Sequence, residues 1–310
     1  MEKPVDVVYV LGSGSNWHNN EIRYSLRSLE KNAIGMGKIF IVGEFPDFLS
    51  PSIIHVKAKD IFNSNQNADG NIVTKVLEAC ADDRLSDNFM FINDDHLLLK
   101  PLVLRNLPAF HKGDMKSFPD STWTLNFWRT RLKRTMEILD EKSLSTFHFD
   151  CHTPILFNKY LFPKVMESFA YQEGIGLTMK SLYGNTHYAQ SGVQLTTQKQ
   201  TVFKYYTTPQ LEKRLSNACF LSFNDFGLNN ELKLFLDFNF PAQSQWELSQ
   251  SQDRLIEINR WLHSDRDYQE GVALFEKYLH GVNLLKILHS GETVSLRKKL
   301  EYKLTHTMPD

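Results

Sequence analysis

The segment Phe89-Met90-Phe91-Ile92 runs directly into Asn93-Asp94-Asp95-His96, so an apolar stretch that reads as a strand stops on two carboxylates and an imidazole. Two carboxylates held ~5 Å apart at an effective dielectric of ~20 repel by roughly 3 kcal/mol, which a divalent cation or a raised pKa relieves. Oxygen ligands in a phosphate-handling site suit Mg2+ or Mn2+, which makes Asp94 and Asp95 the candidate metal ligands. Successive strand side chains point to opposite faces, an arrangement that would leave one of the pair facing the metal. The competing reading is a polar turn closing a strand, with Asn93 or Asp94 bonded to its own backbone. His96 could add a ligand or an acid/base group, or be a structural histidine beside Leu97-Leu98-Leu99.

Further candidates surround a possible anion. Gly12-Ser13-Gly14 permits close backbone approach to a ligand, so Gly12 and Ser13 are candidate substrate contacts. The run lacks the third glycine of a dinucleotide fingerprint, since Trp17 stands there, and it lacks the Lys-Ser/Thr of a P-loop. Arg23 and Arg27 lie four apart on one helical face and could reach a diphosphate near that loop, although Arg27 could equally pair with Glu30. Asn71 and Lys75 are four apart at an expected helix start, where backbone N–H groups favour phosphate. A solvated lysine is the alternative there. No Gly-x-Ser-x-Gly motif or local cysteine-protease signature occurs.

The elements that must position these groups follow from the periodicity. Val5 to Leu11 is a continuous apolar run suited to a strand buried on both faces, ended by Gly12-Ser13-Gly14-Ser15. Ile22, Leu26 and Leu29 recur at helical spacing from Glu21 to Asn32, with Asn19 and Asn20 where a cap belongs. Strands are expected at Lys38 to Val42, Ile53 to Val56 and Asn88 to Ile92, with a helix from Asn71 to Ala81. Strands alternating with helices predict an α/β domain with a mostly parallel, Rossmann-like sheet over residues 1–250. Between Leu97 and Thr146, which includes Trp123 and Trp128, the pattern assigns no elements. From 251 to 310 short helices separated by Gly281 and Gly291 predict a small helical domain, whose stripes Val272, Phe275, Leu279 and Leu296, Leu300, Leu304 read as core.

The 310 residues carry 35 Lys+Arg against 36 Asp+Glu, a formal net charge of -1. No global field draws such a chain to nucleic acid, and an anionic ligand must be met locally. The last sixty residues hold nine Lys/Arg and nine Asp/Glu, too balanced for a nucleic-acid-binding tail; Arg297-Lys298-Lys299 with Lys303 could at most touch an anionic membrane surface. No apolar leader or membrane-length run occurs, so a cytoplasmic protein is expected. Cys80, Cys151 and Cys219 are odd in number and far apart, which argues for buried free thiols rather than disulfides or thiolate zinc.

Taken together, several segments resemble the Stealth family of sugar-phosphate transferases, which includes capsular polysaccharide phosphotransferases and N-acetylglucosamine-1-phosphotransferase. Val5-Asp6-Val7-Val8-Tyr9 is similar to its opening strand, with Leu11-Gly12-Ser13-Gly14 in place of Trp-Val-Asp-Gly. Glu21-Ile22-Arg23-Tyr24-Ser25-Leu26-Arg27-Ser28-Leu29-Glu30-Lys31-Asn32-Ala33, followed by Lys38-Ile39-Phe40-Ile41-Val42, resembles the second block, whose Asn-Asp-Asp finish falls on Asn93, Asp94 and Asp95. Cys151-His152-Thr153-Pro154 resembles the His-x-Pro start of the third. Phe223-Asn224-Asp225 and Phe240-Pro241-Ala242-Gln243-Ser244-Gln245-Trp246-Glu247 resemble the fourth. The blocks occur in order over residues 5–247.

The resemblance implies a glycosyltransferase-A-like fold, a nucleotide-sugar donor such as a UDP-sugar, a divalent metal, and transfer of sugar-1-phosphate to an acceptor hydroxyl on a glycan, in bacterial surface-polysaccharide synthesis. It assigns His152 as the base, Asp94 and Asp95 to the metal, and Asp225 as a further catalytic group beside Asn224. Lys180 is the nearest basic residue to the position where the family carries an arginine. A glycosyltransferase using the same donor, and an inactive nucleotide-sugar-fold binding module, are the alternatives.

Overall fold

The computed structural model describes residues 3–123 and 126–248. The apolar run Val5–Leu11 forms β1, buried along almost its whole length. A strand covered on both faces belongs at a sheet's centre, and β1 lies there between parallel neighbours. Following it are α1 (Asn20–Asn32), β2 (Ala33–Ile34), β3 (Met36–Gly43), β4 (Ile54–Val56), α2 (Ser64–Cys80), β5 (Asn88–Phe91) and β6 (His96–Leu98). The chain continues through β7 (Leu102–Val103), β8 (Phe110–His111), α3 (Phe127–Glu141), β9 (Ile155–Asn158), α4 (Leu161–Glu167) and α5 (Met179–His187). It then forms β10 (Val193–Gln194), β11 (Lys199–Val202), α6 (Thr208–Leu215), β12 (Phe220–Phe223) and α7 (Asn230–Asn239).

The main sheet has the order β4-β3-β1-β5-β9, parallel except for β9 at the edge. This bears out the expected α/β class. Val73 and Val76 of α2, Leu132 and Leu139 of α3, and Phe162 and Leu182 of α4 and α5 share one core with Val8, Phe40 and Phe89 from the sheet. A second sheet, β11-β12-β6, pairs β12 in parallel with β11 and antiparallel with β6. Tyr24 of α1, Leu211 of α6 and Leu232 and Leu236 of α7 pack on it. The short pairs β2-β7 and β8-β10 are parallel.

Helix α1 links the two sheets through a stripe its apolar spacing did not reveal. Ser25 Oγ donates to the His96 carbonyl at 2.5 Å and accepts from the Tyr9 hydroxyl at 2.7 Å. Ser28 Oγ accepts the Leu98 N–H at 3.0 Å, and Asn32 Nδ2 donates to the Leu98 carbonyl at 2.7 Å. All three side chains are buried, and together they supply partners that β6 lacks on the side away from β12. The expected asparagine cap is absent: Asn19 is left-handed at φ 58° with no side-chain cap bond, and Ser15 Oγ instead accepts the N–H groups of Trp17 and Asn19 at 3.1 and 2.8 Å.

Two expectations need correction. Helix α2 starts at Ser64 rather than Asn71, capped by Asn63, because its first turns are polar and bend at Asn67, whose side chain donates to the Tyr171 carbonyl. In the unassigned stretch lies α3, hidden from periodicity because its buried face includes Arg131 and Thr135 among the leucines. The three cysteines are free, Cys151 buried and the other two partly so. No helix of the described residues is long and apolar enough to cross a membrane. The chain divides into two units, one holding residues 1–46 and 51–246, the other 47–50 and 247–310. The expected helical domain at 251–310 lies outside the described residues.

Replacing Ser28 with Ala leaves the Leu98 N–H buried without a partner, and urea unfolding should register a loss of about 1–3 kcal/mol.

Candidate functional site

Loops that meet at one end of the main sheet build the site. The chain turns one way from β1 to β3 and β4 and the other way to β5 and β9, so β1 and β5 flank the point where strand order reverses. In open α/β sheets ligands bind beyond the carboxyl ends of the strands at such a point. Here the Gly12–Ser15 loop leaves β1 and the Asn93–His96 turn, closed by the His96 N–H on the Asn93 carbonyl at 3.1 Å, leaves β5. Because β12 runs antiparallel to β6 with Ser222 opposite His96, its exit delivers Asn224 and Asp225 to the same place. A cleft of about 360 Å³ lies between these loops, lined by Gly12, Gly14, Glu21, Asp94, Asp95, Asn224 and Asp225.

The cleft is strongly acidic. Burial raises the Asp94 and Asp95 carboxyls well above the ordinary range, reinforced by Glu21 at Asp94 and by Asp94 at Asp95. Glu21 is held by the Ser15 hydroxyl at 2.8 and 3.0 Å, and Asp225 accepts from the Asn16 amide at 2.8 Å. Beneath Asp95, His96 is 1% exposed, its two ring nitrogens lack a hydrogen-bond partner, and Nε2 stands 3.5 Å from Asp95 Oδ1. Asp95, His96 and His152 can bring one donor atom each to within 4.8 Å of one another. Crowded carboxylates and an orphaned buried imidazole are the donor set a divalent cation satisfies; oxygen with imidazole nitrogen suits Mn2+ better than Mg2+.

On the far side of Asp95 basic groups stand among the carboxylates of Asp69 and Asp150. His152, in the left-handed region at φ 57°, places its ring 5.8 Å from that of His96. His152 keeps an exposed edge, yet crowding by the surrounding protein, and then the charges of Lys199, Lys180, Lys112 and Arg129, hold its pKa well below the usual imidazole range, so the imidazole is neutral. Lys180 enters from the first turn of α5, where its buried Nζ donates to the Thr153 carbonyl at 2.8 Å. Asp150 holds that turn by accepting the Ser181 N–H and hydroxyl at 2.8 and 2.6 Å. His152 and Lys180 line a smaller cavity of about 90 Å³ with Asp69, Asn93, Trp128 and Asp150.

Gly12, Asp94, Asp95, Asn224 and Asp225 thus share the cleft, and His152 and Lys180 adjoin it through Asp95. Ser13 is exposed on the loop between two cleft-lining glycines. Asn224 also closes its own turn, accepting the Gly227 N–H at 3.0 Å. Four expected substrate contacts are engaged within the protein. Arg23 is buried and bonds Asn20 at 3.0 Å, while Arg27 lies over the Tyr24 ring and donates to the Phe240 carbonyl at 3.2 Å. Asn71 is not at a helix start: it clamps the backbone of Ile61 and Phe62 with three hydrogen bonds of 2.8 to 2.9 Å. Lys75, 4% exposed, ties the Leu11 carbonyl at 3.0 Å to Asp60 at 2.7 Å. Sequence reasoning missed Glu21, which reads as an ordinary first-turn acid. It also missed Asp69, Trp128 and Asp150, which reach the site from segments with no motif.

No protein-family model matches the chain, and no curated protein matches it. Among solved structures, galactosyltransferase LgtC with donor and acceptor sugar analogs matches at 10% identity, TM-score 0.42, over 78% of this chain and 98% of that one. A glycosyltransferase involved in the glycosylation of the major capsid of PBCV-1 matches at 6% identity and TM-score 0.39, over 77% of this chain and 98% of that one. The bifunctional glycosyltransferase WbbM matches at 10% identity and TM-score 0.42, over 78% of this chain and half of that chain, 50%.

Raised carboxyl pKa values mean the folded chain retains protons the unfolded chain has released, so the stability these groups contribute is lost as pH rises through their folded values. In metal-free buffer Asp95→Asn should therefore gain on the unsubstituted protein between about pH 5 and about pH 8, with a widening Tm difference. Calorimetric titration should show it binding Mn2+ at least about ten-fold more weakly.

Proposed function

We propose that this chain is a metal-dependent transferase that takes a nucleotide-diphosphate sugar in the acidic cleft and passes its sugar-1-phosphate to an acceptor hydroxyl. The observation that carries the proposal is the convergence of the β1, β5 and β12 exits at the reversal of strand order, with carboxylates on one side of Asp95 and His152 and Lys180 on the other. The Gly12–Gly14 loop gives the donor backbone access. Asp94 and Asp95, with His96 behind them, would hold the cation, and Asp225 would orient the donor or add a ligand. The cation, when bound, offsets the charge of the diphosphate.

The remaining work falls to side chains of this protein. The acceptor oxygen bonds to the β-phosphorus as the bond from that phosphorus to the bridging oxygen breaks, and the nucleoside monophosphate leaves. The hydroxyl proton goes to His152, whose neutral ring has a free lone pair at the edge of the cleft and whose basicity the negative charge of a bound donor would raise against the neighbouring cations. Lys180 supplies positive charge beside the transferred phosphoryl group, in a position where burial keeps it from being screened by water.

The test is nucleotide release from a panel of UDP-sugars with Mn2+ or Mg2+ and a crude glycan acceptor, resolving mono- from diphosphate. Uridine monophosphate, abolished in Asp95→Ala and reduced ~100-fold in a normally folded His152→Ala, is the expected result. Uridine diphosphate would assign glycosyl transfer instead, and full activity in Asp95→Ala would overturn the metal assignment.

A further inference from the structure

We infer that Asp95, His96 and His152 form a Zn2+ site that overlaps the cation site of the cleft and, once filled, shuts the transferase off. The inhibition rests on the transferase reading; the binding does not. Each of the three residues offers a donor atom within 4.8 Å of the other two. A tetrahedral ion about 2.1 Å from its ligands holds them about 3.4 Å apart. His96 Nε2 and Asp95 Oδ1 already stand at 3.5 Å, and the buried His96 ring has no hydrogen bond to give up when it coordinates. His152 therefore has at most about 1.4 Å to travel, the difference between 4.8 Å and that ligand spacing. Its ring meets that of His96 edge-on, with centroids 5.8 Å apart at 63°. It is also the exposed member of the three, so an ion has a way in and water can take the fourth position, as at three-ligand zinc centres.

The donor set chooses the ion. Mg2+ demands a near-octahedral shell of oxygens, and a site with one imidazole already leans toward Mn2+. A second imidazole carries the preference to Zn2+, which binds nitrogen and oxygen donors more tightly than Mn2+ does. The thiol of Cys151, the residue before His152, is engaged elsewhere, donating to the Phe110 carbonyl at 3.2 Å. The surrounding charge is mixed: Glu21, Asp94, Asp225, Asp69 and Asp150 line the two cavities beside Lys180, with Lys112, Arg129 and Lys199 behind. Coordination spends the lone pair that His152 would offer the acceptor hydroxyl, and it draws Asp95 away from the cation of the cleft. One ion thus removes the base and a ligand of the catalytic cation together.

The experiment titrates the full chain, cleared of metal with a chelator, with ZnCl2, CoCl2 and MnCl2 in a calorimeter, and records the visible spectrum of the Co2+ form. Zn2+ should bind at least about 100-fold more tightly than Mn2+, and Co2+ should show the intense absorption of a four-coordinate ion. In His152→Asn, which tolerates the left-handed backbone, Zn2+ affinity should fall at least about 100-fold and the Co2+ band should collapse, while Mn2+ affinity holds. Unchanged Zn2+ affinity in that variant, or the weak spectrum of six-coordinate Co2+, would overturn the site. Nucleotide release that continues at saturating Zn2+ would overturn the inhibition alone. The calorimetry and the spectrum need no turnover, so the site stands or falls apart from the transferase reading.

Discussion

The arrangement depends on one unusual contact, the polar stripe of α1 lying along the backbone of β6. A helix normally presents apolar side chains to a sheet, but Ser25, Ser28 and Asn32 act here as a neighbouring strand would, satisfying the His96 and Leu98 backbone groups that have no strand beside them. This lets the chain leave the parallel sheet at Asp94 and Asp95 and re-enter structure immediately as β6. The tightness of that exit holds two carboxylates at a sheet end, and β6 then recruits β12, whose own exit brings Asp225 to face them.

Around Asp95 the molecule is electrostatically divided. One wall of the cleft carries Glu21, Asp94 and Asp225; the other leads to His152 and Lys180, with Lys112, Arg129 and Lys199 behind. Like charges are crowded in the cleft, a cost that a bound cation would relieve, while on the other side Asp69 and Asp150 stand among the basic groups. The Asp95 carboxyl is raised by burial and Asp94 yet drawn down by Lys180 and Lys199, so it marks the boundary.

Much of the framework was legible because it is written in apolar periodicity. β1 matches its expected limits, and α1, β3, β4 and β5 lie within a few residues of theirs. The Asp-Asp finish of β5 was visible because a carboxylate pair ends an apolar strand there, whether it closes a polar turn or meets a cation. What escaped was burial of polar residues: Arg131 and Thr135 on the inner face of α3, and the serines of α1, obey contacts rather than composition. The same blindness left Arg23, Arg27, Asn71 and Lys75 as candidate substrate contacts, since spacing does not show which partners within the protein each one holds. Trp128 and Asp150 join the site only through tertiary packing, for which the sequence has no local signal.

The left-handed backbone at His152 has a consequence for how this site can vary. Glycine, asparagine and aspartate share histidine's tolerance of that region, whereas valine, isoleucine and threonine clash there. Mutational drift or a saturation library at position 152 is therefore filtered by the main chain before chemistry is selected. The survivors form a short alphabet, of which asparagine and aspartate keep the loop shape and lie one nucleotide change from histidine.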